Sequence, residues 1–347
     1  MAGDVDVVIV GAGISGIGVA RALKISSPGT TFRILEARDA IGGTWDLFRY
    51  PGVRSDSDLY TFGYQFRPWT DADSIASGAS ILDYLRRTVA EEGIEEHISL
   101  QRRVVSAEWS SRTGLWTVQV RTGGSDAVET LTAAWLFCAG GYYRYDEGYR
   151  AEIPGLDRFQ GQRVHPQHWP EDLRYDGKRV VVIGSGATAV TLVPALAKEA
   201  VRVTATGLSV LVFGGIALRV DGEEVLLPDR VAYKGIMLDG VPNFAFAIGY
   251  TNASWTLKVG LLADYFCRLL TYMAEHGYTT VTPRRPAGME TRPLLDFAAG
   301  YVTRAADALP RQGAEGEWRM SMNYYADVRN LRRGRVRSPS LQFGRAG

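Results

Sequence analysis

Three glycines and one acidic residue near the start of the chain have the types and the spacing of a nucleotide-binding site. Gly11, Gly13 and Gly16 stand in the order G-x-G-x-x-G, and Glu36 follows twenty residues after Gly16. In such a loop the first glycine makes a tight turn, the second lets a pyrophosphate approach the backbone, and the third lets a helix pack closely on a strand. The acid accepts a hydrogen bond from a ribose hydroxyl. These four residues predict a dinucleotide cofactor.

A second glycine pair with nearby aromatic residues indicates which cofactor this is. Gly42 and Gly43 follow soon after Glu36, and Trp45 and Tyr50 come next. A backbone that a ligand can approach again at this point suits the long FAD molecule, and the two aromatic side chains offer flat surfaces near a flavin ring. The alternative for both aromatic residues is packing in the core.

Arg54 and Asp56 put a cation and an anion two residues apart. In an extended segment this spacing places both side chains on one face, where they could act on a bound ligand. The alternative is an ordinary surface ion pair.

A second glycine loop repeats the first. Gly184, Gly186 and Ala189 have the G-x-G-x-x-A spacing. Two such loops, with a flavin-type segment after the first, predict FAD and a nicotinamide cofactor, which we take as NADPH.

The elements that must position these residues alternate between strand and helix. We predict a strand over 5–10, a helix through Ala22 and a strand ending at Glu36, then a strand over 179–183 and a helix to about Glu199 with a kink at Pro194. A last strand, "NFAFAIGY", precedes a long helix that Asn252 or Ser254 caps and Gly277 ends. The predicted fold class is α/β, with two Rossmann-like dinucleotide-binding domains, the second of them truncated.

His165 is one of only four histidines and lies on the connection into the second glycine loop. A side chain there can hydrogen-bond backbone on both domains, so we predict a structural hinge and not a catalytic base. No arrangement of residues predicts a metal site.

Composition excludes several classes of partner. The chain has 347 residues and a net charge of +1, with 46% hydrophobic residues. Such a balance gives no electrostatic attraction to nucleic acid. The apolar stretches are too short for an integral membrane segment, and the two cysteines fit a reducing compartment, so we expect a cytoplasmic protein.

The basic stretch 329–337 is expected to be a solvated end, with phosphate or membrane binding as the alternative. The oligomeric state cannot be read from the sequence.

The segments "GAGISG", "GGTWDLFRYPG" and "RSDSD", and the pattern Phe159-x-Gly161-x-x-x-His165-x-x-x-Trp169-Pro170, resemble the class B flavin-dependent Baeyer–Villiger monooxygenases, of the ethionamide-activating type. The resemblance implies an enzyme that uses FAD, NADPH and O2 and acts through a C4a-peroxyflavin on a small-molecule ketone or thioether. It also implies that the N-terminus of the long C-terminal helix points toward the flavin, where its dipole favours negative charge.

The resemblance assigns Asp56 and Arg54 as catalytic residues. For cofactor binding it implies Gly11, Gly13, Ser15, Gly16, Glu36, Gly43, Thr44, Trp45, Asp46, Leu47, Arg54, Ser55, Asp56, Val104, Ile183, Gly184, Ser185, Gly186, Ala187, Thr188 and Ala189.

The chain departs from the family after Ala200. The stretch "VRVTATG" reads as the strand that returns to the FAD domain, so a segment on the order of a hundred residues is missing from the NADPH domain. We therefore expect an FAD domain over 1–145, an NADPH-domain remnant over 146–203, and a return to the FAD domain over 204–347. The alternative function is an uncoupled NADPH oxidase or a non-catalytic FAD-binding protein. A disulfide reductase is disfavoured, because Cys138 and Cys267 are too far apart for a redox pair.

Overall fold

The computed structural model describes residues 3–125, 127–149, 152–184, 186–197, 209–295 and 300–345. Its strands are β1 (Val5–Val10), β2 (Phe32–Leu35), β3 (Ile98–Ser99), β4 (Arg102–Ser110), β5 (Leu115–Thr122), β6 (Val128–Cys138), β7 (Ala217–Val220), β8 (Glu223–Glu224), β9 (Val231–Tyr233), β10 (Met237–Leu238), β11 (Phe244–Phe246), β12 (Thr280–Pro283), β13 (Thr291–Pro293), β14 (Arg311–Gly313) and β15 (Leu341–Gly344). Its helices are α1 (Ile14–Ser26), α2 (Thr44–Leu47), α3 (Leu59–Phe62), α4 (Gly78–Glu91), α5 (Ala187–Leu196), α6 (Trp255–His276), α7 (Gly300–Ala305) and α8 (Tyr324–Asp327).

The main sheet joins a parallel part to an antiparallel part through one long strand. Its order is β3-β2-β1-β6-β5-β4-β7-β8, and β11 also pairs with β6. The first half of β6 pairs antiparallel with β5, while its second half pairs parallel with β1 and β11. Since parallel strands end at one edge, the carboxyl ends of β1, β6 and β11 come together there, which is where α/β sheets bind ligands.

The parallel strands are largely apolar because both faces of the sheet are covered, and their charged residues Asp6 and Arg33 are exposed. Val7 and Ile9 of β1 belong to a core cluster with α1 and α6, while Val8 between them belongs to a second cluster on the other face with β5 and β11. Alternate side chains of a strand point to opposite faces, so one short strand supports both cores. The predicted first unit, strand, helix and strand, is confirmed.

The second predicted unit is only partly formed. The helix is present as α5, with Pro194 inside it, and it ends at Leu196. The strand predicted over 179–183 is wrong: these residues belong to no sheet of the described chain. A strand needs a hydrogen-bonding partner, and the described residues offer none to 179–183. The strand predicted to return to the FAD domain, within 201–207, lies outside the described residues.

The C-terminal third contains more strand than the sequence indicated. β11 is confirmed and α6 ends at Gly277, which has the expected positive φ of 65°. β11 is not the last strand of the chain. β12 and β15 pair with each other further on, and a separate sheet contains β9, β10, β13 and β14. No helix of the described chain has the length and apolar character needed to cross a bilayer.

The basic stretch is not a fully solvated end. Leu331 and Val336 are buried, Arg332 pairs with Asp264 of α6 at 2.6 Å, and Arg268 of α6 donates to the carbonyl of Leu331. Apolar residues interleaved among the arginines attach this segment to the helix.

Candidate functional site

The first glycine loop is built as its spacing predicts. Gly11 directly follows β1 with φ of 103°, a conformation that favours glycine. A Cβ on Gly16 would stand 1.9 Å from the carbonyl oxygen of Gly11, so only glycine lets α1 approach the strand this closely. Gly13 occupies the N-cap position of α1, and no side chain caps the helix there. The first N–H groups of α1 are therefore available to an anionic ligand.

Glu36 stands at the tip of β2, and its carboxylate is buried against the glycine loop. One oxygen accepts from the backbone N–H of Ala12 at 2.7 Å and the other from that of Arg38 at 2.9 Å. A carboxylate has about four acceptor positions, so it can also accept from a ribose. The carbonyl of Glu36 accepts from Arg102 N, which brings the start of β4, with the buried Val104, beside this tip.

The segment that begins at Gly43 faces the glycine loop, and together with Tyr145 it forms a second wall of the site. Gly43 has φ of 56°, and a Cβ on it would lie 3.2 Å from Cα of Gly13 and 3.1 Å from the hydroxyl of Tyr145. The same hydroxyl is 3.0 Å from Oγ1 of Thr44. Burial raises the pKa of Tyr145 to about 12, so its phenol is a neutral hydrogen-bonding group at physiological pH. Sequence analysis missed Tyr145, which is 101 residues from Thr44.

The short helix α2 ties this wall to its surroundings. Asp46 is buried and forms ion pairs with Arg38 and with Arg49, the latter at 3.1 Å. Trp45 meets the ring of Phe62 edge to face at 5.7 Å. These contacts favour the packing interpretation for Trp45.

Leu47 and Tyr50 pack instead against α5. Both belong to one apolar cluster with Leu192 and Leu196, and the Tyr50 hydroxyl is 3.2 Å from Oγ1 of Thr191. The packing alternative is thus also supported for Tyr50, and the helix after the second loop is anchored to the first domain.

Arg54 forms an isolated β-bridge with Ser77, and Asp56 lies in a bend two residues later. Ser55 is buried, whereas Arg54 and Asp56 on either side of it are exposed. Neither charged side chain makes an ion pair with any residue that the structure describes, so the surface-pair alternative gains no support. Their catalytic assignment stays a prediction.

The N-terminus of α6 reaches the glycine loop. Nε1 of Trp255, its first residue, donates to Oγ of the buried Ser15 at 2.8 Å. Ser254 occupies the N-cap position, but its hydroxyl contacts Thr61 and does not cap the helix. The positive end of α6 therefore lies beside that of α1.

The second glycine loop is open. Gly184 has φ of 143° and Gly186 takes the N-cap position of α5, but a Cβ on Gly186 would meet nothing within 4 Å. Ile183, Gly184, Gly186 and Ala187 are exposed, Thr188 is half-buried, and Ala189 alone is buried. Ser185 lies outside the described residues. This loop shares with the first a positive φ at its first glycine and an uncapped helix N-terminus, but no described residue forms a wall within 4 Å of a Cβ on Gly186.

The connection before this loop is held by a glutamine that sequence analysis missed. Nδ1 of His165 accepts from Gln167 N at 3.2 Å and so caps a short turn. Gln167 is buried, and its Nε2 donates to the carbonyls of Arg144 and Tyr145 at 2.7 and 3.0 Å. The hinge role of His165 stays a prediction, while Gln167 links its turn to the segment of Tyr145.

Comparisons with known proteins agree with this geometry. A model of the NAD(P)-binding Rossmann-like domain matches residues 9–72, and the flavin-binding monooxygenase-like family matches residues 64–221. Among solved structures, a steroid monooxygenase bound to NADP has a TM-score of 0.72 at 17% identity, covering 98% of this chain and 99% of its own. The closed form of cyclohexanone monooxygenase has a TM-score of 0.72 at 15% identity, covering 100% of both chains. These likenesses confirm the predicted fold class.

Sequence relatives are closer. The FAD-containing monooxygenase EthA of Mycobacterium tuberculosis is 37% identical over 479 positions, which cover 98% of each chain. The probable FAD-binding monooxygenase AlmA of Acinetobacter baylyi is 33% identical, covering 98% of this chain and 96% of its own. Because this chain has 347 residues, at least 132 of the 479 aligned positions have no residue here. With relatives of this identity along its whole length, the chain belongs to the flavin-binding monooxygenase-like family, among the FAD-containing monooxygenases of Baeyer–Villiger type.

Proposed function

We propose that this chain binds FAD at its first glycine loop and acts as an NADPH-using monooxygenase of Baeyer–Villiger type. A ketone, O2, NADPH and a proton would give an ester or lactone, water and NADP+. A thioether would give a sulfoxide with the same balance. FAD, when bound, supplies hydride acceptance and oxygen activation, and the protein supplies binding, orientation and electrostatics.

The residues present fit FAD. The observation that carries the proposal is that two glycine-containing segments face each other: Gly16 has no room for a side chain, and a Cβ on Gly43, which has a positive φ, would lie 3.2 Å from Cα of Gly13. No side chain caps the N-terminus of α1 beside them. The N–H groups there suit the pyrophosphate, and Glu36 suits the adenosine ribose. Ser15 and Thr44 lie along the same walls, and Val104 stands two residues after Arg102, whose backbone N–H donates to the carbonyl of Glu36. Trp45, Asp46, Leu47 and Ser55 would act by shaping them.

Arg54 and Asp56 are the proposed catalytic residues. They are exposed on either side of the buried Ser55, and this exposure supports the proposal that substrate and nicotinamide approach them from the solvent. Asp56 would place its carboxylate beside the flavin or the nicotinamide, and Arg54 would contact the nicotinamide cofactor. The open second loop, 183–189, is the proposed NADPH site.

We also propose the domain limits given above, 1–145, 146–203 and 204–347, and a cytoplasmic location. Both cysteines are buried and free, and burial raises the pKa of the Cys267 thiol to about 11, so it stays protonated. Neither supports a redox role of its own.

Replacing Glu36 tests the cofactor assignment. Glu36→Ala removes the ribose acceptor and also frees the N–H groups of Ala12 and Arg38, so FAD affinity should fall by roughly 1–3 kcal/mol, or about 5- to 150-fold. The measurement is FAD binding by flavin fluorescence, with the exposed Glu95→Ala as the matched control. Unchanged affinity in Glu36→Ala would show that the first loop is not the FAD site.

A further inference from the structure

The connection from β11 to α6, residues 247–254, crosses the edge of the sheet where the glycine loop lies. β11 runs parallel to β6, and Ala247 continues that pairing by donating to the carbonyl of Cys138 at 3.0 Å. The backbone of β6 in turn continues beside β1, since Ala139 N donates to the carbonyl of Val10 at 2.8 Å. The connection therefore starts at the same edge as the first glycine loop.

Trp255 holds the inner side of this connection. Its indole donates to Ser15 of the glycine loop, and the same ring covers Gly249, on which a Cβ would stand 2.3 Å from the ring. Any movement of the connection would move the indole and hence the N-terminus of α6.

A short C-terminal segment, Ser321 to Asp327, makes a second set of contacts with this connection. Oδ2 of Asp327 accepts from the hydroxyl of Tyr250 at 2.7 Å and from Nζ of Lys258 at 2.9 Å. Tyr250 precedes the turn and Lys258 follows it, so one carboxylate oxygen joins its two ends. Lys258 also donates to the carbonyl of Ser321 at 2.5 Å, and Asn252 within the turn donates to that of Met322 at 3.2 Å.

Because the ion pair between Lys258 and Asp327 is buried, it cannot easily be exchanged for contacts with other partners. Lys258 is completely buried and Asp327 is 4% exposed. A charge buried without its partner is strongly unfavourable. The ammonium group of Lys258 can therefore separate from Asp327 only if it becomes hydrated. Lys258 also stands in the first turn of α6, where the helix dipole disfavours a cation. Asp327 is the counter-charge that permits it there, although burial still lowers the pKa of Lys258.

We infer that the segment Ser321–Asp327 is a clamp that positions the N-terminus of α6 at the cofactor site, with Asp327 as its central positioning residue. The inference rests on the proposed function, since the ligand that α6 would face is FAD. Loosening the clamp would let Trp255 and the first turn of α6 move away from Ser15, and the bound cofactor would lose a wall of its site.

The test compares two tyrosines that each donate to a carboxylate, which is buried for Asp327 and half-buried for Glu317. Tyr250→Phe removes the hydroxyl that donates to Asp327. The matched control, Tyr233→Phe, removes the hydroxyl that donates to Glu317 at 3.2 Å, on the separate small sheet. We expect the FAD dissociation constant to rise roughly fivefold in Tyr250→Phe and to stay within about twofold in Tyr233→Phe. Asp327→Asn, with Glu317→Gln as its control, should repeat the contrast.

Amide hydrogen exchange of the FAD-free protein separates the clamp from the cofactor assignment. Exchange of amides 251–258 should be at least about tenfold faster in Tyr250→Phe than in the parent or in Tyr233→Phe. Equal exchange in the two variants, or equal FAD affinity in a protein that binds FAD, would overturn the clamp. A parent protein that binds no FAD would overturn the proposed function, and the exchange experiment would still decide the clamp.

Discussion

Asp56 and Glu36 are both acids of the proposed site, but their surroundings give them different tasks. Glu36 is buried and already accepts two backbone hydrogen bonds, so it contributes to the shape of the glycine loop even without ligand. Asp56 is exposed and pairs with no described cation, so nothing in the described fold depends on its charge. Removing Glu36 should damage cofactor binding, and removing Asp56 should damage only the reaction.

Asp56→Asn is therefore expected to keep its FAD and its thermal stability while product formation from a simple ketone falls on the order of 100-fold. Asn keeps the size of the side chain and loses its charge. The measurement is product per NADPH consumed, at equal flavin content. Asp71→Asn, another exposed acid, is the control. A variant that oxygenates as fast as the parent would remove Asp56 from the catalytic machinery.

At the scale of elements, local patterns predicted the first unit and long-range contacts decided the rest. β1, α1 and β2 follow from an apolar run, three glycines and a second short apolar run, all within 36 residues. The strand over 179–183 has the same local pattern, but the described chain gives it no partner strand. Gln167 and Tyr145 were missed because their contacts join residues 22 and 101 positions apart, which leave no periodic signal in the sequence.

A glycine-to-alanine substitution should destabilise the protein in the first glycine loop and have little effect in the second. In Gly16→Ala the new Cβ would stand 1.9 Å from the Gly11 carbonyl, so α1 must shift, at a cost of roughly 1–3 kcal/mol, and FAD binding should be lost. In Gly186→Ala the new Cβ meets open space at a φ of −78°, which suits alanine, and stability should change by less than about 1 kcal/mol. Urea unfolding and FAD retention measure both. Equal losses in the two variants would show that the second loop is as tightly enclosed as the first.

At the scale of the whole molecule, buried tyrosines on several elements make the fold sensitive to alkali. Burial raises the pKa of Tyr84 and of Tyr145 to about 12 and that of Tyr64 well above its usual value. Unfolded tyrosines ionise near pH 10, so their neutral burial stabilises the fold fully below pH 10 and progressively less as the pH rises toward 12. Urea midpoints should be similar at pH 8 and 9 and fall above pH 10. Exposed tyrosines such as Tyr325 ionise in the folded protein, so only the last part of the phenolate absorbance should appear together with unfolding. Full phenolate absorbance in a folded protein would contradict this burial.

The whole chain combines an enclosed first nucleotide site with an open second one, and this contrast should appear in its kinetics. Ile183, Gly184 and Gly186 are exposed, and at least 132 positions of its relatives have no counterpart here. We therefore expect two or three charge-assisted contacts, at about 1.5–3 kcal/mol each, to be missing from the proposed NADPH site. Under argon, dithionite should reduce the flavin fully, whereas NADPH should reduce it slowly and saturate only at about 1 mM or above.

In air, much of the NADPH should be consumed with O2 and a proton to give NADP+ and hydrogen peroxide, because an open site protects the reacting oxygen poorly. Stopped-flow reduction and parallel assays of peroxide and oxygenated product measure the two steps. Fast reduction at micromolar NADPH, with one product formed per NADPH, would show that the residues around Gly184 suffice to hold the nicotinamide cofactor and that the missing positions are dispensable.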